Sequence, residues 1–70
     1  MAVAKVIEVI AESDVGWEDA ARKAVVEASE TVHNIKGLWV EGMQAVVEGG
    51  AIVKYRMNAK VTFVVRDERD

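Results

Sequence analysis

Few side chains in this 70-residue chain could do covalent chemistry, and none is arranged to do it. Cysteine is absent, which removes thiolate nucleophiles, disulfides and thiolate metal ligands together. His33 is the single histidine. It is expected near the end of a helix, where a cation suits the dipole, and it has no nucleophile to serve. No phosphate-loop glycine pattern occurs, and the pair Gly49-Gly50 reads as a hairpin turn. Catalysis is therefore not expected. Glu8, Glu41 and Glu48 are candidates for a calcium site made between subunits, although a hard cation needs several converging oxygens. Lys54, Arg56 and Lys60 fall on one side of a strand, as a solvated surface or as an anion patch for phosphate-bearing ligands or coenzyme A. Glu12 and Asp14 read as turn and helix-start chemistry. Of the two tryptophans, Trp17 opens an apolar helical face and reads as core, whereas Trp39 reads as a residue of a subunit contact.

Four elements must position these residues. Val3 to Ala11 is a strand rich in β-branched residues, with charges only at Lys5 and Glu8. Its apolar residues do not alternate cleanly, so both faces are expected to be covered, in part by a neighbouring subunit. Glu12-Ser13-Asp14-Val15-Gly16 breaks the run. Trp17 to Ile35 is predicted as one helix of roughly 28 Å. Trp17, Ala20, Ala21, Ala24, Val25, Ala28, Val32 and Ile35 recur at the spacing of one face, and Gly37 follows as the residue that ends it. Leu38 to Glu48 and Ile52 to Arg66 are strands joined at Gly49-Gly50. In the last strand Tyr55, Met57, Ala59, Val61, Phe63 and Val65 point to the helix, and Lys54, Arg56, Asn58, Lys60, Thr62 and Arg66 point away. Connectivity then gives an α+β fold of β-α-β-β order, a three-stranded antiparallel sheet in order 1-3-2 packed on one amphipathic helix.

Length allows a single domain over residues 1–70, with little core to spare at this size. Hydrophobic residues make up 51% and charged residues 30%, too apolar for disorder. The net charge of −3 comes without a basic block, which argues against nucleic acid. No stretch reads as a signal peptide or a membrane span, so a cytoplasmic location is expected. The tail Asp67-Glu68-Arg69-Asp70 is wholly charged and is expected to fray. With disulfides and histidine-based metal sites removed, oligomerisation is the remaining way to support so small a core. The last strand, about 50 Å long at 3.3 Å per residue, is more sheet than one helix can cover.

The order of elements and three local strings resemble the dodecins. The strings are Lys5-Val6-Ile7-Glu8-Val9-Ile10, then Ser13 with Trp17-Glu18-Asp19-Ala20 and the alanine-rich helix up to Asn34-Ile35-Lys36-Gly37, and Tyr55-Arg56-Met57-Asn58-Ala59-Lys60-Val61-Thr62-Phe63. The resemblance implies a hollow homododecamer and a storage role, without catalysis. The implied cofactor is a flavin (FMN, riboflavin or lumichrome), stacked in pairs between tryptophans of symmetry-related subunits. It also implies, for some members, coenzyme A, and for a divergent branch, calcium without flavin. By this likeness Trp39 is the ring platform, displaced by two residues, about 7 Å along a strand, from the family's usual tryptophan. Arg56 stands in place of the flavin-facing glutamine, and Gln44 where many members have an arginine, so the two residue types have exchanged places. Arg56 can donate to a flavin carbonyl or a phosphate but cannot accept from the ring N–H. Trp17-Glu18 is commoner in branches without established flavin binding.

Overall fold

The computed structural model describes residues 2–67, with the side chains of residues 3–65. The Arg66 side chain and the tail beyond Asp67 lie outside this range. The elements run β1 (Ala2–Ser13), α1 (Trp17–Ala28), β2 (Ile35–Glu48) and β3 (Ala51–Asp67). β3 lies between β1 and β2 and is antiparallel to both, so the sheet order is β1-β3-β2. Gly49 and Gly50, at φ 60° and 79°, make the β2–β3 hairpin. That backbone geometry crowds a Cβ, so glycine is the residue that accepts it without cost.

The sheet extends further than expected at most ends. β1 continues through Glu12 and Ser13 before the chain turns. Asp67 pairs with Ala2 in the register rather than fraying. β2 starts at Ile35, not Leu38, and the helix stops at Ala28 rather than Ile35. The apolar period does run on through Val32 and Ile35, but local and tertiary hydrogen bonds override it. The Ser29 hydroxyl donates to the Val26 carbonyl at 2.7 Å and the Thr31 hydroxyl to the Ala28 carbonyl at 3.3 Å. Side-chain bonds of this kind compete with a continuing helix. Asn34 then takes the left-handed conformation, φ 61°, that Gly37 was expected to supply. Its carbonyl accepts from Val64 N–H at 3.0 Å, which starts the pairing of β2 with β3. His33 lies past the helix, exposed, so the expected dipole partnership is not formed.

A serine organises the turn into α1. Ser13 is buried, its hydroxyl donates to Asp19 Oδ2 at 2.6 Å, and it accepts from the N–H groups of Val15 and Gly16. Lys23 adds an ion pair to Asp19 one helical turn on. The Ser13 hydrogen bond, followed by Lys23, holds the Asp19 carboxyl below the ordinary carboxylate range. The turn chemistry expected of Glu12 and Asp14 therefore belongs to Ser13 and Asp19.

One sheet face meets the helix. Ala20, Ala24 and Ala28, four residues apart, are buried, and the first two pack in one cluster with Ala11, Met57 and Ala59. Their small side chains let α1 lie close to the strands, and Met57 and Val61 are the largest side chains fully enclosed. Val65 departs from the expected inward set. It falls in a bulge where the β1–β3 register shifts, and it is half exposed. Twelve helical residues span about 18 Å, whereas the seventeen of β3 span roughly 56 Å. The molecule accordingly measures 58 × 19 × 14 Å. Much of the ribbon has no helix over it.

Candidate ligand-binding face

The face away from α1 carries the polar half of β3, and the register arranges it in rows. Lys60 sits between Glu8 of β1 and Trp39 of β2; Asn58 sits between Ile10 and Gly42; Arg56 sits between Glu12 and Gln44. Trp39, Gln44 and Arg56, the three residues singled out by sequence, thus share one face. Counting alone would have split them, because Trp39 and Gln44 are an odd number of residues apart and a strand alternates. A β-bulge at Glu41 restores the parity: Val40 pairs with Ala59 and Gly42 with Asn58, leaving Glu41 as the extra residue. Gln44 and Arg56 are direct cross-strand partners, while Trp39 stands two rows away beside Lys60.

Lys54, Arg56 and Lys60, the described cations of β3 on this face, are each paired. Arg56 Nε donates to Glu12 Oε2 at 2.7 Å, and an Nη of the same guanidinium reaches the same oxygen. Lys54 Nζ lies 3.6 Å from Glu12 Oε1. Lys60 Nζ lies 3.2 Å from Glu41 and 4.0 Å from Glu8. Three positive side chains meet three negative ones, so the stripe read from sequence as a solvated surface or as an anion patch is locally neutral. The hydrogen bond and charge of Arg56, then the charge of Lys54, hold the Glu12 carboxyl below its ordinary value. Glu12 is thus a strand residue that anchors Arg56. Its sequence signal was available: Glu8 and Glu12 are four apart in β1, as are Lys60 and Arg56 in β3, a spacing that matches in an antiparallel pair.

Glu8 and Glu41 approach Lys60 from opposite strands, while Glu48 ends β2 at the distant hairpin. Among the described residues no three His, Cys, Asp or Glu side chains are placed to hold a metal ion. Also among them, no helix is long and apolar enough to cross a membrane.

Trp39 is 68% exposed, and Ile10 in the neighbouring row 65% exposed. Such side chains are costly to leave in water, with roughly 25 cal/mol per Å² of apolar surface at stake. Trp17 behaves differently. It packs half-buried on the core, meets Tyr55 edge-on at 4.9 Å between ring centroids, and donates from Nε1 to the Gln44 carbonyl at 3.2 Å. The core role read from sequence holds, and the same indole pins the backbone of β2 at Gln44. Asn58 and Gly42, in the middle row, were not singled out by sequence reasoning. Asn58 receives a hydrogen bond from Gln44 Nε2 at 3.3 Å.

Comparison with known proteins agrees with this architecture. A family model described as Dodecin matches residues 3–66. Calcium dodecin of Mycobacterium tuberculosis is 35% identical over 66 residues, covering 94% of this chain and 93% of that protein. The crystal structure of that calcium-chelating antigen, described as having a novel calcium-binding site, superposes with a TM-score of 0.79 over 97% of each chain. The dodecin of Streptomyces coelicolor, 25% identical, gives 0.88 over 96% of each chain. A variant of the Thermus thermophilus dodecin shares the fold, with a TM-score of 0.89 over 96% of this chain and all of that one, at 21% identity. With the family pattern covering nearly every described residue and the β-α-β-β sheet of order β1-β3-β2 in place, this chain belongs to the dodecin family.

Proposed function

We propose that the chain binds a flavin on its open sheet face, within a hollow shell of twelve copies, and stores it rather than transforming it. The observation that carries this reading is the Trp39 ring on a polar face, a large flat π-surface left about two-thirds exposed in the single chain. Stacking of an isoalloxazine on an indole contributes roughly 1–3 kcal/mol, by analogy with nucleobase stacking. Gln44 supplies a neutral donor and acceptor, and Arg56, anchored by Glu12, supplies positive charge beside the ring or a phosphate. Assembly is supported by Val6, Ile10, Val26, Met43 and Ile52, which are exposed in the single chain, as is Trp39. A fold so thin in core gains most by burying them against further copies.

The test is titration of the protein with riboflavin, FMN and lumichrome, reading flavin emission, together with the mass in solution by light scattering. The reading expects strong quenching, its loss in Trp39→Ala, and a mass near twelve chains. Unchanged emission with all three flavins at micromolar protein would rule out the flavin.

A second reading, a calcium-binding shell without flavin, is favoured by the identity to calcium dodecin. Glu8 and Glu41 would be its donors, with carboxylates from other copies completing the coordination, because each already faces Lys60. Calorimetric titration with calcium chloride distinguishes it, and a yellow protein on purification counts against it.

A further inference from the structure

The cation beside Trp39 is already held from both sides. Lys60 is the direct cross-strand partner of Trp39 on one flank and of Glu8 on the other. Its Nζ lies 3.2 Å from the Glu41 carboxylate and 4.0 Å from that of Glu8. Glu41 is the extra residue of the β2 bulge, two positions from Trp39, and Glu8 belongs to β1. Carboxylates from both flanking strands therefore converge on one ammonium. One positive and two negative charges leave the group with a net charge of −1. Lys36, three residues from Trp39 beyond a second register shift, takes no part in these pairs. Further along β3, Arg56 and Lys54 both face Glu12.

Ion pairs as exposed as these contribute little to folding, so their consequence lies in the charge they present. Strands lie about 4.8 Å apart, which puts Glu8 roughly 10 Å from Trp39 across the sheet. Charges at that separation are felt in dilute salt, where the screening length is about 30 Å, and fade at about 1 M, where it is near 3 Å. A phosphate monoester carries between one and two negative charges at neutral pH. Beside Trp39 it would meet an excess of negative charge and an ammonium that two carboxylates already engage.

We propose that Glu8 and Glu41 act together as a charge filter around Trp39, admitting uncharged flavins and disfavouring phosphorylated ones. Riboflavin and lumichrome are then the preferred ligand class, and FMN is discriminated against. The inference rests on the flavin reading above and adds to it the charge of the ligand. Arg56, committed to Glu12, is left as a donor to a neutral ligand rather than as an anchor for phosphate.

The experiment compares riboflavin with FMN, which differ only in the phosphate, by quenching of flavin emission at low and high salt. At about 0.01 M ionic strength the unmodified protein should bind FMN roughly three- to fivefold more weakly, the effect of about two negative charges facing one across some 9 Å of water. The gap should close at about 1 M salt. Glu8→Gln and Glu41→Gln should each narrow it at low salt, and the double variant, with Lys60 released, should bind FMN the more tightly. Glu30→Gln removes one acid from an exposed position just past α1 and should leave the gap as it is. An equal narrowing by Glu30→Gln would assign the gap to overall charge and overturn the filter. Equal or tighter binding of FMN by the unmodified protein at low salt also overturns it, and leaves flavin binding standing. Failure of both ligands to quench overturns both readings. The salt comparison needs no variant, so misfolding of a variant cannot obscure it.

Discussion

The two faces of β3 solve different problems with the same strand. Toward α1 it presents Met57, Ala59 and Val61, all buried, and the alanines of the helix press close enough to leave little room. Away from α1 it presents Arg56, Asn58 and Lys60, half exposed, each held by a partner on a flanking strand. The buried face is specified by volume and the open face by pairing. Stability should therefore reside mainly in the first, and recognition in the second.

That division can be broken most forcefully at Met57. Met57→Ala empties the centre of the helix-covered face and should cost roughly 2–5 kcal/mol in chemical denaturation. Flavin affinity per folded molecule should change little. A loss of affinity with full stability would show the two faces to be coupled. Next in size is Trp39→Ala on the open face. It should weaken flavin binding by about ten- to a hundredfold, the value of stacking on one aromatic, with little change in the secondary structure seen by circular dichroism. Gly50→Ala tests the hairpin away from both faces. A Cβ at φ 79° should cost about 1 kcal/mol by thermal melting and leave binding intact.

The smallest expected effect sharpens the comparison through pH. Glu12 has its carboxyl held low by Arg56, so its contribution to stability is present above the ordinary glutamate value of about 4.5 and is lost as pH falls through the depressed one. Melting temperature should fall with acidification in that window, and less steeply in Glu12→Gln. An identical slope in the two proteins would mean that the ion pair does not contribute to folding. Asp19, held low by Ser13 and Lys23, acts in the same direction and remains in the variant.

The strength of each sequence signal explains what could be read in advance. The alternation of β3 from Tyr55 to Phe63 and the glycine pair before it were strong local signals, and topology followed from them. The helix end was not legible, because Val32 and Ile35 keep the helical period while Ser29, Thr31 and Asn34 redirect the backbone through hydrogen bonds that period cannot show. In the site, Trp39, Gln44 and Arg56 were found by likeness to a family, and the structure places them on one face. Asn58 escaped notice because nothing in its neighbourhood along the chain marks it. Its partners Gln44 and Gly42 come from another strand, and only the register brings them together.

Glu41 shows how much can hang on one inserted position. A β-strand is read in a two-beat frame, and an extra residue shifts the frame for everything on one side of it. Were Glu41 drawn into a regular ladder instead of bulging, the indole of Trp39 would pass through to the helix side of the ribbon while Gln44 stayed where it is, dismantling the platform without changing a single aromatic or amide.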